Sequence, residues 1–209
     1  MRVRPISVEA LVAELAARIV ALGDGTGRRL RVGVDGPPAA DPAALAQALV
    51  RPLRAHGRPA LSVRTEDFLR PASLRLEYGR TDPDAYYAHW VDEAALRREV
   101  LGPAGPGGSG RVLPSLWDAR TDRASRAPYQ ALSPGSVVLV SGAFLLGGGL
   151  PFDLSVHLAL SPAALRRRTP AALHWTLPAF ARYAAEVDPA ALADVVVRWD
   201  DPRRPALVE

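Results

Sequence analysis

The run Leu30-Arg31-Val32-Gly33-Val34-Asp35-Gly36-Pro37-Pro38-Ala39-Ala40-Asp41-Pro42-Ala43-Ala44-Leu45-Ala46-Gln47-Ala48-Leu49-Val50 decides how the rest of the chain is read. It opens on Leu30, Val32 and Val34, a short apolar run that predicts a buried strand. It closes on Leu45, Leu49 and Val50, which fall on one face at helical spacing. Asp41 and Pro42 stand just ahead of that pattern. Asp is a favoured N-cap and Pro a favoured first helical residue, so a helix is expected to start there. A short loop entered through Gly36 joins the two.

Strand, glycine loop and helix in this order is the layout of a phosphate-binding P-loop, with the pattern G-x-x-x-x-G-K-[ST]. The run Arg31-Val32-Gly33-Val34-Asp35-Gly36-Pro37 resembles the first strand of the uridine kinase-like P-loop kinases, and the similarity continues along most of the chain. Set on that family, Gly36 is the first glycine, the second glycine falls on Asp41, the lysine on Pro42 and the Ser/Thr on Ala43. The resemblance therefore implies a phosphate loop at these four positions, in degenerate form.

A P-loop works because successive backbone N–H groups point at phosphate from a helix N-terminus, where the dipole favours negative charge. Pro37, Pro38 and Pro42 have no N–H to give. An Asp41 cap sets a carboxylate where a phosphate oxygen would sit, and the methyl of Ala43 replaces the hydroxyl that would hold Mg²⁺. A well-capped helix after a buried strand explains these residues without a nucleotide. ATP and Mg²⁺ are the cofactors the resemblance implies. Neither is expected to bind firmly, and the sequence offers no metal site.

Composition bounds the rest. At 209 residues the chain is long enough for one domain with a sizeable core, and its 48% hydrophobic and 23% charged content is that of a globular protein. There is no cysteine, which excludes disulfides and thiolate metal sites. No apolar run approaches the roughly 20 residues that cross a bilayer. Glu9, Glu14 and Arg18 interrupt what would be the core of a signal peptide, so a cytoplasmic location is expected. The net charge of +4 invites a nucleic-acid partner, but all 26 basic residues are arginine and 22 acidic residues are interspersed with them. No basic stripe stands out, so neither nucleic acid nor membrane is expected as a partner. The missing lysine matters more, because no other part of the chain can supply a P-loop lysine.

The remaining segments are read in order. Residues 1–29 form a leading helix and its exit turn: Val8, Leu11, Val12, Leu15, Ile19 and Leu22 make the apolar stripe, Ser7 the cap, and Gly23 to Gly27 the stop. Residues 60–64 are a second strand, which delivers Thr65-Glu66-Asp67-Phe68-Leu69-Arg70 to the sheet edge. In the family an Asp-x-Phe motif here supplies the base that accepts the 5′-hydroxyl proton, and Glu66 stands in the position of that Asp, with Asp67 next. A carboxylate at a strand end can do such work, since it needs only to reach a hydroxyl. A solvated acidic turn paired with Arg64 or Arg70 is the alternative.

Residues 71–130 form an excursion rich in polar aromatics, and the part around Asp82-Pro83 is similar to the family's nucleoside-site segment. Phe68, Arg70, Tyr78, Asp84, Tyr86, Tyr87 and His89 are the implied nucleoside contacts: flat rings suit a base and carboxylates suit ribose hydroxyls. Half-buried rings at a loop-to-helix junction would look the same. On the nucleoside reading, Tyr86→Ala is expected to weaken binding with little change in stability. A helix is expected over Glu93 to Leu101, a flexible connector from Gly102 to Gly110, and an edge hairpin over the pocket between Arg111 and Tyr129, with Asp118 a weak ligand candidate.

Val137-Val138-Leu139-Val140 is the clearest buried strand. The family ends it in an acid that positions Mg²⁺; here that position is Ser141, a poor ligand for a cation that wants anionic oxygens. His157, in a strand over 152–160, reads best as a hydrogen-bonded core residue. Residues 161–175 resemble a shortened lid, with Arg166, Arg167 and Arg168 at the positions of the family's phosphate arginines. Cations also suit a helix C-terminus for its own sake. A helix over 176–186 and a last strand over 193–200 complete the chain.

The expected fold is a three-layer α/β/α P-loop kinase-like domain with a parallel sheet of about five strands. For function, three readings stand open. The first is a uridine kinase-like protein without catalysis, holding a nucleoside-like small molecule or a protein partner. The second is an active nucleoside kinase with an arginine-based phosphate site, and the third a scaffold with no ligand.

Overall fold

The computed structural model describes residues 2–23 and 25–209; Asp24, in the turn expected after the first helix, lies outside them. The elements in chain order are β1 (Val3–Pro5), α1 (Val8–Leu22), β2 (Leu30–Asp35), α2 (Pro42–Ala55), β3 (Ala60–Arg64), α3 (Ala72–Arg75), α4 (Pro83–His89), α5 (Glu93–Leu96) and α6 (Gly102–Ala104). There follow β4 (Arg111–Val112), β5 (Trp117–Asp118), β6 (Arg123–Ala124), β7 (Gln130–Ala131), β8 (Val137–Gly142) and β9 (Leu154–Ala159). The last are α7 (Pro162–Arg168), α8 (Leu177–Glu186), α9 (Pro189–Leu192), β10 (Val195–Arg198) and β11 (Ala206–Val208).

Among the described residues the main sheet has seven strands in the order β1-β11-β10-β9-β2-β8-β3. The five from β10 to β3 run parallel, as expected. The two antiparallel edge strands were not expected. Val3–Pro5 and Ala206–Val208 are each three residues long and carry no alternating pattern of their own; Arg-Pro punctuation reads as loop. Their pairing to each other extends the sheet beyond β10 and leaves only the three-residue β1 at that edge.

The strands are apolar because helices cover both faces. Leu30, Val32 and Val34 join Leu11, Ile19, Leu45 and Leu53 of α1 and α2 in one core cluster. Successive residues of β8 point to opposite faces: Val137 and Leu139 enter that cluster, while Val138 and Val140 meet Phe68, Leu96 and Leu101 in a second one. Ser7 caps α1, with its side chain accepting the Ala10 amide at 3.2 Å. The connector is more ordered than its composition suggests. The helix begun by α5 continues through a π-turn over Arg97–Leu101 into α6, and the Gly110 amide donates back to Pro103 at 2.9 Å. The expected hairpin is two short ribbons, β4 with β7 and β5 with β6.

Asp153, just before β9, anchors the start of β2. Its carboxylate accepts the Arg31 amide at 2.8 Å, two guanidinium N–H groups of Arg31 at 3.0 and 3.1 Å, and an ion pair from Arg28. Its side chain is 7% exposed and that of Arg31 12%. Burial by itself would raise this carboxyl group; the hydrogen bonds from Arg31 outweigh it and hold the group below the usual range. A depressed folded value stabilises above the unfolded pKa of about 3.9 and ceases to do so as pH falls through the folded value. Asp153→Ala should cost about 2–4 kcal/mol in urea unfolding at neutral pH, because it strands a buried guanidinium. A loss under about 0.5 kcal/mol would mean that the pair behaves like a surface one.

Candidate functional site

Open α/β sheets bind ligands outside the carboxyl ends of their strands, where the connections diverge. Here β2 lies between β8 and β9, and Gly36 sits at that divergence, its amide donating to the Gly142 carbonyl at 3.0 Å. Gly142 is required by contact: a Cβ there would lie 1.9 Å from the Thr65 hydroxyl oxygen. The segments after β2, β3, β8 and β9 converge over this edge.

The loop after β2 folds as a turn of 3-10 helix over Pro38–Ala40. The Ala40 amide donates to Pro37 at 2.7 Å and the Asp41 amide to Pro38 at 3.0 Å. Asp41 takes the left-handed conformation, φ 54° and ψ 60°, and its carboxylate caps α2 by accepting the Ala44 amide at 3.0 Å. With three prolines in the stretch, most of the loop's donors are either absent or already engaged. Pro42 is buried at the first turn of α2, and Ala43 presents only a methyl group.

Mg²⁺-nucleotide fits these residues badly. Ser141 is fully buried and its hydroxyl lies 3.5 Å from the Val63 carbonyl of the neighbouring strand. Among the described residues no group of three acidic, His or Cys side chains could hold a metal ion.

Beside the loop opens a cavity of about 540 Å³. It is lined by Pro37, Pro38 and Ala39 of the loop and by the rings of Tyr86, Trp90, Phe144, Trp175 and Phe180, with Glu66 and Arg168 among the polar groups. Tyr86 is the hub of the aromatic wall, edge-on to Trp90 at 5.0 Å, to Phe144 and Trp175 at 5.5 Å and to Phe180 at 6.1 Å. Phe144 stacks on Phe180 at 4.8 Å and holds φ at 63°, a conformation a bulky side chain rarely adopts. Such strain persists only where the surroundings enforce it. Burial within the cleft raises the Glu66 carboxyl pKa, and the Arg64 charge offsets it only in part. Burial first, then the nearby Glu66, raises the Tyr86 phenol, which therefore stays protonated.

Of the residues singled out in the sequence, Glu66, Tyr86 and Arg168 line this cavity together. Asp67 turns away into a two-bond pair with Arg64, both at 3.0 Å. Phe68 is wholly buried in the second core cluster, because the turn after β3 points its ring inward. The Arg70 amide bonds the Trp90 carbonyl, and its side chain is not part of the wall. Tyr78 is 64% exposed and leans on His89, itself exposed. Asp84 pairs with Arg182 at 3.0 Å, and that guanidinium lies 4.8 Å over the ring of Tyr87. Asp118 closes its own turn by accepting the Arg120 amide. The arginines of α7 diverge: Arg168 bonds the Trp199 carbonyl, Arg167 reaches Asp200, and Arg166 faces a different cavity.

Sequence reading missed Phe144, Phe180 and the role of Trp175. Phe144 had a signal, a large ring directly after the Ser141-Gly142-Ala143 end of the clearest strand. It also missed a buried polar cluster below the loop. Asp35, with no exposed surface, accepts the Leu145 amide at 2.9 Å, the Tyr183 hydroxyl at 3.2 Å and His157 Nδ1 at 2.6 Å. The Tyr183 oxygen in turn accepts the Leu146 amide at 3.0 Å. His157 is thus the hydrogen-bonded core residue expected of it.

No protein-family model matches the chain, and no curated protein matches it. Solved structures do. A possible uridine kinase from Bacillus stearothermophilus superposes with a TM-score of 0.69 at 23% identity, over 88% of this chain and 96% of that one. A protein assigned as a fructose transport system kinase from Silicibacter sp. TM1040 gives 0.58 at 23%, over 86% and 90%. The D-glycerate 3-kinase of Cryptococcus neoformans gives 0.55 at 16%, over 85% and 80%. The chain has the P-loop kinase-like α/β fold.

Proposed function

We propose that this kinase-fold protein holds a nucleoside-like small molecule in the aromatic cleft and transfers no phosphoryl group. The observation that carries the reading is the state of the loop after β2, whose donors are removed by proline or engaged with neighbouring backbone and the Asp41 cap. Phosphoryl transfer relies almost wholly on positioning and charge neutralisation by loop amides, a lysine and Mg²⁺. This chain has no lysine at all, an alanine at the metal-hydroxyl position and a buried serine where an acid would stand. The divergent arginines of α7 do not converge on one phosphate. The cleft itself suits a flat ring, which can slide between the prolines and the Tyr86–Trp175 wall, with Glu66 accepting from hydroxyls.

Thermal shift and calorimetry with uridine, cytidine and Mg-ATP test this. Uridine or cytidine should stabilise the protein; at 100 times Kd the gain is about 2.7 kcal/mol. Mg-ATP should leave it unmoved. Stabilisation by Mg-ATP that disappears on replacing Arg166, Arg167 and Arg168 with alanine would instead favour an active kinase with an arginine-based phosphate site. Silence toward every ligand would favour a protein-binding scaffold.

Glu66 gives a pH test. Its folded pKa is raised, so its contribution to stability falls as pH rises through that value, while its capacity to accept a hydroxyl grows. Nucleoside affinity should therefore climb from pH 4 to 7, about tenfold if the ionised form makes one charge-assisted bond. Glu66→Gln should flatten the profile. An unchanged profile in that variant would remove Glu66 from the site.

A further inference from the structure

We infer that a second cavity, behind the aromatic wall, is a binding site for a small apolar molecule bearing a hydroxyl at one end and an acidic group at the other. Its polar contacts, His157 and Arg166, are not those of the nucleoside cleft, and either proposal can fail alone. The cavity encloses about 520 Å³, within the range of small-molecule sites. It shares Pro37, Phe144, Leu165 and Phe180 with the first cavity, so these four side chains form the partition between them.

The polar groups at its surface are few and specific. His157 lines it and is 8% exposed. Its Nδ1 faces the Asp35 carboxylate at 2.6 Å; a carboxylate only accepts, so Nδ1 carries the hydrogen. In the neutral form of the ring this leaves Nε2 as an acceptor, and among the described residues nothing donates to it. Tyr183 also lines the cavity, but its hydroxyl is engaged between the Leu146 amide and Asp35. An unpartnered acceptor set in a largely apolar wall calls for a donor on the occupant, and a hydroxyl supplies one.

Arg166 gives the second feature. It lines the cavity, is exposed, and makes no ion pair among the described residues, whereas Arg168 and Arg167 are both tied to backbone carbonyls. No Asp or Glu side chain lines this space. An acid entering there meets a cation and no repelling carboxylate. His174 also lines the space, its Nε2 3.0 Å from the Thr169 carbonyl; the rest of the surface is mainly leucine, proline, alanine and phenylalanine, which fits a flat or aliphatic body between the two ends.

The probe is a hydroxynaphthoate, compared by calorimetry with its methyl ether, which can accept but not donate, and with naphthol, which lacks the acid. Full-length protein should bind the hydroxy acid about tenfold more tightly than either comparator, the worth of one lost hydrogen bond or one charge contact. Ala181→Trp, a substitution on the exposed side of α8 that fills the cavity, should abolish binding; Arg166→Ala should weaken it about tenfold. Tyr86→Phe, in the other cavity, should leave it unchanged. Asp35→Asn gives the sharpest readout. Its amide faces the ring with a donor, the hydrogen moves to Nε2, and the preference for hydroxyl over methyl ether should collapse. Equal affinity for the hydroxy and methoxy probes, binding indifferent to Ala181→Trp, or no binding at millimolar concentration would each overturn the inference.

Discussion

Asp35→Ala unfolds this protein more readily by about 3–5 kcal/mol, the range found when one member of a buried charged network is removed. The carboxylate is wholly enclosed and satisfies three donors from three separate segments: the Leu145 amide after β8, His157 on β9 and Tyr183 on α8. Alanine leaves all three without this partner, and each stranded group costs about 1–3 kcal/mol. For a chain of this size the melting temperature should fall by about 10 °C. Asp35→Asn should recover much of the loss, since the amide oxygen can still accept from Leu145. A melting temperature within a degree of wild type for Asp35→Ala would show that water reaches the cluster and that the network is not a structural tie.

Tyr86→Ala should lower stability by about 2–4 kcal/mol, against the expectation from sequence that this change would be nearly silent in stability. The ring meets four other aromatic rings edge-on, and such pairs contribute about 0.5–1.5 kcal/mol each beyond area burial. Its removal also frees the strained Phe144 backbone from one of the rings that enforce it. Tyr86→Phe keeps every ring contact. Its stability should stay within about 1 kcal/mol of wild type, because the hydroxyl has no hydrogen-bond partner among the described residues. Chemical denaturation of the two variants separates packing from ligand contact. If Tyr86→Ala is as stable as Tyr86→Phe, the aromatic wall is not cohesive, and the cleft is more plastic than its geometry indicates.

The two variants also mark where reading the sequence stopped. Tyr86 was found because it follows an Asp-Pro turn in an aromatic-rich segment. Its role as a hub was hidden, because Phe144, Trp175 and Phe180 come from segments about 60 to 90 residues away, and nothing in local spacing couples them. The same limit applies to Phe68: a phenylalanine beside two acids reads as a cleft residue, yet the turn over Thr65–Phe68 rotates its ring into the core. Tyr78 failed in the opposite sense, since polar aromatics serve equally well on an exposed turn.

What the chain determined by itself was local: β2 from its apolar alternation, the start of α2 at Asp41-Pro42, the cap at Ser7, the helix from Pro162 to Arg168, and the absence of any lysine. These follow from backbone donors, capping and periodicity, which act within a few residues. The tertiary structure decided the rest. It paired the two terminal strands, whose three residues each hold no pattern until they meet. It turned Asp67 toward Arg64 and Glu66 toward the cleft, through the 3-10 turn over Thr65–Phe68 that follows β3. It brought Asp35, His157 and Tyr183 together from positions 122 and 26 residues apart, because a carboxylate buried at a strand end must find its donors wherever the fold can supply them.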